Sequence, residues 1–443
     1  MAAEKDGIFL GEWSRGDGVH RAPHESYIGR FGVPLRRSGG ASPLLRSPST
    51  FPSVTTTILS PADSLQLVPE LASSLNPNVW VYRFTNPDRA WTLSVATHAE
   101  PGSQKLSLGG FRIAPVERTS APGFTTDREA IALAMGMEEK VHWSRLIQVG
   151  GPLALRDLNR IVGGKCVLAP TADARVGQVR DAELLDFAIA SFQEVERTAK
   201  IHLTTGQDLG HGLMHDGKQQ SLAYLNARFK GSVVADTSGP TAEGNFHVLH
   251  GMLRASGVPL AGATVALVGS GNIGMHIIKR LREYGTTILA CESRAQRRAE
   301  LEAMGIRTCG PEGKLAMLRD PIDALVVNAA GGSLDRATIE ACIANTRLSV
   351  ICGSENLAMP DPSLAALLQE ARKISCPTEL GGMVGYLTAV EEYLARIEGM
   401  SFDISTLVEA SKKLDGAAFA ATERMRAGGF TESFEEAVTA LYG

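Results

Sequence analysis

Thr264-Val-Ala-Leu-Val-Gly-Ser-Gly-Asn-Ile-Gly274 decides the fold of this chain. The apolar run Thr264–Val268 suits a strand covered on both faces, as in a parallel sheet. Gly269, Ser270, Gly271, Asn272, Ile273 and Gly274 then fall where a strand turns into a helix. In that position the first glycine permits the tight turn, the second lets backbone approach a pyrophosphate, and the third lets helix and sheet pack closely. The free N–H groups of the helix start face the phosphates. Beyond the loop, Ile273, Ile277 and Leu281 recur every four residues between Lys279, Arg280 and Arg282, which predicts an amphipathic helix, with Gly285 as its stop.

Further short apolar strands are expected at Thr286–Ala290, Ala324–Val327 and Leu348–Cys352, alternating with helical segments. The result is a doubly wound dinucleotide-binding domain. Glu292 stands 23 residues after Gly269, close to the interval at which an acidic side chain meets the adenosine ribose. A carboxylate there repels a 2′-phosphate and favours NAD over NADP. Arg294, Arg297 and Arg298 pull the other way unless they form the solvated face of the next helix.

Upstream the pattern differs. Residues 1–54 mix Gly, Pro, Ser and Arg without periodicity and are expected to be an irregular extension. Val79–Phe84 and Trp91–Ala96 read as strands around a turn at Asn86-Pro-Asp, within a β-meander over about 78–115. Helices are expected at Thr126–Met137 and Asp181–Ala199. The reading is an α/β chain of two domains, one over 55–236 and an NAD-binding Rossmann domain over 237–425, with a C-terminal helix over 426–443 returning toward the first; the family resemblance carried by the motifs quoted below implies that 55–236 is the substrate and oligomerisation domain.

Composition narrows the partners. A net charge of −4 gives no electrostatic reason for a nucleic-acid or anionic-membrane partner. No run of 18 apolar residues occurs, and Met1-Ala-Ala-Glu-Lys-Asp lacks the regions of a secretory signal. The six cysteines lack a C-x-x-C pair, so no zinc knuckle or disulfide framework is indicated. A cytoplasmic protein with a small-molecule ligand is expected. His211 and His215 lie four apart without an evident third ligand, so no metal is expected.

Four ordered segments precede the Rossmann unit: Leu108-Gly-Gly-Phe-Arg-Ile-Ala-Pro, Met135-Gly-Met-Glu-Glu-Lys140, Val162-Gly-Gly-Lys165-Cys-Val-Leu and Thr204-Thr-Gly-Gln-Asp208-Leu-Gly. Ile351-Cys-Gly-Ser-Glu-Asn356 and Glu379-Leu-Gly-Gly-Met follow it. Over roughly residues 75–443 the chain resembles the amino-acid dehydrogenase superfamily of glutamate, leucine, phenylalanine and valine dehydrogenases, and most closely its leucine/phenylalanine branch. The resemblance implies a homo-oligomer that oxidatively deaminates a 2-amino acid to a 2-oxo acid with NAD, or runs the reverse. It assigns Lys140 to the substrate carboxylate, Lys165 to general acid/base work and Asp208 to proton exchange with the reacting nitrogen. Gly109, Gly110 and Glu379 fall at substrate-binding positions, and Asn356 on the nicotinamide side.

Three departures bear on the substrate. Lys140 and Lys165 lie 25 positions apart, about double the family interval, and a second Gly150-Gly151 precedes Pro152. A rival alignment puts Pro152 at the catalytic lysine position; under the preferred one, residues including Arg156, Asp157 and Arg160 form a lid, an interface element or a surface loop beside the cleft. Glu379 replaces an asparagine, and its carboxylate repels the substrate unless it is protonated, paired with a lysine or turned to a cation. Gly244 stands where a threonine touches the nicotinamide amide. Two other readings share the fold: an NAD(P)H-dependent imine reductase or amine dehydrogenase of a specialised pathway, and a non-catalytic NAD-binding relative.

Overall fold

The computed structural model describes Phe51 and residues 53–443. The expected 1–54 extension lies outside the described residues apart from Phe51, Ser53 and Val54. Two six-stranded sheets organise the rest. The first contains β1 (Thr55–Leu59), β2 (Trp80–Asn86), β3 (Trp91–Thr97), β4 (Leu106–Ile113), β5 (Ile161–Ala169) and β6 (His202–Gly206), in the order β1-β2-β3-β5-β4-β6. The second contains β7 (Thr264–Val268), β8 (Thr287–Cys291), β9 (Arg307–Cys309), β10 (Ala324–Val327), β11 (Val350–Gly353) and β12 (Ile374–Ser375).

The meander expectation holds for β1, β2 and β3, which pair antiparallel in succession. It fails for β4. That strand lies between β5 and β6 and runs parallel to both. The run Leu106–Ile113 is buried along nearly its whole length, as a strand covered on both faces is. The parallel arrangement brings the C-terminal halves of β4, β5 and β6 to one edge.

All pairings in the second sheet are parallel, in the order β12-β11-β10-β7-β8-β9. Read from the other edge, this is the 3-2-1-4-5-6 order of a dinucleotide-binding sheet, whose switch point lies between β7 and β10. Gly285 ends the helix after β7 with a φ of 73°.

Eight helices matter for the site: α1 (Thr126–Ile147), α2 (Pro152–Asp157), α3 (Asp181–Ala199), α4 (Ser238–Ala255), α5 (Asn272–Glu283), α6 (Thr378–Ile397), α7 (Lys413–Ala427) and α8 (Phe434–Tyr442). α3 spans the residues its periodicity predicts. α1 runs ten residues past the expected Met137. Its start is clear, because Thr125 accepts the Arg128 N–H at 3.2 Å and Asp127 and Glu129 occupy the first turn. Its continuation is hidden because Glu138 and Lys140 are buried, so the polar and apolar faces cease to alternate.

α6 is the common neighbour of both sheets, touching α1 and β6 on one side and α4 and β11 on the other. The segment between Lys140 and Lys165 docks on it. α2 begins at Pro152, and the Glu391 carboxylate of α6 accepts the Leu153 and Ala154 N–H groups at 3.0 and 2.8 Å, capping its free donors. Gly151 makes room, since a Cβ there would lie 2.3 Å from the Glu391 carboxyl carbon. Arg156 pairs with Glu398 at 3.1 Å. Among the described residues, no helix is long and apolar enough to cross a membrane.

Candidate active site

A pocket of about 300 Å³ lies between the C-terminal ends of the two sheets. It brings together Gly109, Gly110, Lys140, Lys165 and Asp208 with Gly271, Asn272, Ile273 and Asn356. Lys165 sits in the middle of β5, while Asp208 follows β6 by two residues, so the parallel register places them side by side. The Lys165 ammonium donates to the Asp208 carboxylate, and both side chains are buried. Pro152, the rival candidate, starts α2 and lies outside this pocket. None of residues 150–160 lines the pocket either, so the inserted segment braces α6 rather than covering the cleft.

The glycine pair acts by closeness. A Cβ on Gly109 would meet the Gly164 carbonyl oxygen at 1.9 Å, and one on Gly110 would lie 3.0 Å from Lys165 Nζ. Backbone forbids a side chain at Gly109, and at Gly110 a methyl group displaces the Lys165 and Asp208 side chains by a few tenths of an ångström.

Arg112, two residues beyond Gly110, was quoted in the sequence motif without a role. It is 2% exposed, donates to Asp208 at 3.3 Å and to Glu129 at 2.6 Å, and shares Glu129 with Arg118 at 2.8 Å. The period of two along β4 puts it on the face of Gly110, a signal legible beforehand. Burial opposes charge on Asp208, but Arg112 and Lys165 outweigh it and hold the carboxyl well below its usual range. Burial, with Arg112 beside it, pulls the Lys165 ammonium down against the opposing pull of Asp208. Lys140 is pushed down to about 8 by burial, with Glu379 opposing and Lys165 assisting. Its only hydrogen-bond acceptor among the described residues is Asn356 Oδ1, at 2.8 Å. A buried cation with a neutral partner is a site for an anion.

Glu379 is not brought into this pocket. It lines a separate cavity of about 790 Å³ with Glu139 and Glu435, and its carboxylate lies against Gly136. Its charge therefore acts on Lys140 from behind. Gly244 is also elsewhere: it faces Val384 where α4 crosses α6, and Thr241 of the same helix lines the pocket instead. His211 is in a loop and bonds the Phe111 carbonyl and the Ser221 hydroxyl.

The glycine loop fits a dinucleotide. Gly269 has a φ of 88°, and a Cβ there would lie 2.7 Å from the Ala329 nitrogen. Among the described residues the nearest atom in front of Gly271 is Arg294 Nη2 at 4.0 Å, α5 begins without a side-chain cap, and the buried Ser270 hydroxyl has no partner. Glu292 is 4% exposed and accepts the Ser270 N–H at 2.9 Å and the Arg294 N–H at 2.9 Å, bracing the loop from below. Gly274 packs against the Gly269 carbonyl. On the other side of the switch point Asn328 accepts from Asn245 and Ser354, and the buried Glu355 accepts the Ala329 and Ser333 N–H groups at 2.8 and 2.9 Å. Glu355 thus holds backbone at the end of β10, while the Asn328 amide nitrogen is buried without a partner among the described residues.

Solved structures match this arrangement over most of its length. L-Tryptophan dehydrogenase from Nostoc punctiforme is 17% identical with a TM-score of 0.53, over 80% of this chain and 91% of that one. The hetero-hexameric glutamate dehydrogenase from Thermus thermophilus is 16% identical with a TM-score of 0.57, over 88% and 86%. The chain has the amino-acid dehydrogenase fold. Glutamate dehydrogenase from Peptoniphilus asaccharolyticus also matches, at 16% identity and a TM-score of 0.53 over 86% and 96%. Glutamate and tryptophan dehydrogenases match alike, so the amino-acid dehydrogenase fold does not single out the leucine/phenylalanine branch. No protein-family model matches the chain by sequence, and no curated protein does so either.

Proposed function

We propose that this chain oxidatively deaminates a 2-amino acid to a 2-oxo acid with NAD, and catalyses the reverse reductive amination. The observation that carries the proposal is the buried Lys165–Asp208 pair in one pocket with Lys140 and the dinucleotide loop.

Lys140 holds the substrate carboxylate, since its own hydrogen-bond partner, Asn356 Oδ1, is neutral. Asp208 stays ionised between Arg112 and Lys165 and accepts a hydrogen bond from the substrate amino group, fixing the nitrogen. A nicotinamide coenzyme bound at the glycine loop would supply the oxidising power, taking a hydride from Cα and leaving an iminium on the substrate. Lys165, made more acidic by burial, takes the proton of the water that attacks this iminium. It then returns that proton to the nitrogen as ammonia departs, and takes the hydroxyl proton as the carbonyl forms, for release to solvent. When Lys165 is neutral its hold on Asp208 weakens, so the two groups exchange protons as a unit.

Glu292 beneath the loop supports NAD, and Gly271, Asn272 and Ile273 would carry the pyrophosphate. Asn356, beside Lys140, would meet the nicotinamide side. Six unpaired thiols support a reducing cytoplasm. An oligomer is proposed by analogy with the hetero-hexameric Thermus thermophilus enzyme, and the family resemblance makes it a homo-oligomer. The test is NADH formation with a panel of L-2-amino acids, and the reverse reaction with 2-oxo acids with and without ammonium. Ammonium-dependent NADH oxidation supports the proposal. Absence of turnover in both directions contradicts it.

A further inference from the structure

The three arginines that follow Glu292 separate in the structure. Arg297 pairs with Glu300 at 2.6 Å within the helix Ala295–Ala303, and Arg298 turns back to donate to the Glu292 and Ser293 carbonyls at 2.7 and 2.8 Å. Arg294 goes elsewhere. Its side chain is 57% exposed, and its Nη2 lies 4.0 Å from where a Cβ on Gly271 would stand. Gly271 is the loop glycine whose backbone approaches a pyrophosphate, so the guanidinium shares the space that the loop keeps clear.

Glu292 is largely committed to the protein. Its Oε2 accepts the Ser270 N–H at 2.9 Å, and its Oε1 accepts the Arg294 N–H at 2.9 Å and Arg294 Nε at 3.1 Å. Burial opposes charge on this carboxyl, but the Arg294 and Ser270 donors outweigh it and hold it ionised. The charge that would repel a 2′-phosphate is therefore met at contact distance by an opposite one. Arg294 engages it through Nε alone: among the described residues neither Nη atom has an acceptor, and the exposed Ser293 hydroxyl beside them makes just one long bond, at 3.4 Å to Glu292. A guanidinium fork with open donors matches the oxygens of a phosphate monoester, and such charge-assisted bonds are about twice as strong as neutral ones.

We infer that Arg294 sets the coenzyme specificity of this chain: its open Nη groups, with the Ser293 hydroxyl beside them, hold the 2′-phosphate of NADP, so that NADP is bound alongside NAD. This rests on the dinucleotide reading of the glycine loop and deepens it. The unphosphorylated ribose of NAD still finds an acceptor in Glu292 Oε2, which takes a single bond from the protein. The phosphate of NADP meets the arginine, whose removal would leave the Glu292 charge uncompensated beside it.

The test reads binding without turnover, by the fluorescence of NADH and NADPH titrated with the full chain, with Arg294→Ala and with Arg294→Lys. The parent is expected to bind the two coenzymes with affinities within about tenfold of each other, and Arg294→Ala to weaken NADPH by at least about ten times more than NADH. Arg294→Lys, which keeps the charge without the fork, should recover part of that difference. A parent that binds NADH more than about tenfold tighter overturns the inference. So does an unchanged NADH-to-NADPH ratio in Arg294→Ala, because the guanidinium would then serve the adenine or pyrophosphate that both coenzymes carry. If a parent chain with a folded far-UV spectrum binds neither coenzyme, the dinucleotide reading itself has failed and the inference falls with it.

Discussion

Lys140 Nζ donates to Asn356 Oδ1 at 2.8 Å, joining a helix of the first sheet to the loop after β11 of the second across 216 residues of sequence. The bond holds the ammonium at the mouth of the dinucleotide site. Hydrogen bonds to charged groups contribute about 1.5–3 kcal/mol. Asn356→Ala is therefore expected to lower kcat/KM for the amino acid by roughly 10- to 150-fold, mainly through KM, as steady-state kinetics at saturating NAD would show.

Arg112 is expected to matter for stability as well as for chemistry. Removing one partner of a buried ion pair costs on the order of 3–5 kcal/mol. Arg112→Gln should lower the urea midpoint accordingly. It should also raise the acid limb of the pH–rate profile, because Asp208 loses one of the two cations that hold its carboxyl down.

Two glycines separate packing from catalysis. Gly244→Ala puts a Cβ 2.7 Å from Val384 Cγ2 at the α4–α6 crossing and should cost about 1–3 kcal/mol by overpacking. Gly110→Ala puts a Cβ 3.0 Å from Lys165 Nζ and 3.1 Å from Asp208 Cβ. It should leave the thermal midpoint within a few degrees yet lower kcat by up to about 100-fold, the cost of a misplaced catalytic group.

Glu139 gives stability a pH dependence of definite sign. Burial, reinforced by Glu379 and Glu435, raises its carboxyl to about 8 against the pull of Lys140. Below the unfolded value near 4.5 the folded and unfolded chains both bind the proton, and the stabilisation from holding it is complete. It is lost as pH rises toward 8. Lys140, lowered to about 8, acts in a different window: its buried charge costs stability below 8, and this cost fades between 8 and the ordinary lysine value. Glu139→Gln should match the parent at pH 4.5 and melt several degrees higher at pH 8, as calorimetry at the two pH values would show.

The glycine loop, strands β7, β8, β10 and β11 and the Lys140, Lys165 and Asp208 triad were legible because each has a local signature: an apolar run, a turn residue or a motif in fixed order; the two- and three-residue edge strands β9 and β12 are too short to carry one. Lys165 was preferred over Pro152 on its motif, and the register of β5 beside β4 and β6 sets it next to Asp208. The position of β4 was not legible, since a buried parallel strand and a meander strand share the same apolar run. Glu379 and Gly244 were misread for a similar reason. A side chain on a helix can face either the cleft or the cavity behind it, and one turn of rotation decides which. Arg112 and Glu355 were missed because the groups they bond are brought to them by the fold and not by neighbouring sequence.

The most direct test of the catalytic assignment is to compare Lys165→Ala with the parent chain on the best amino acid found, measuring kcat alongside NAD binding by calorimetry. A fall in kcat of at least about 100-fold, with NAD affinity and the far-UV spectrum retained, is the predicted result. Comparable kcat in the two proteins would contradict it and remove Lys165 from the chemistry.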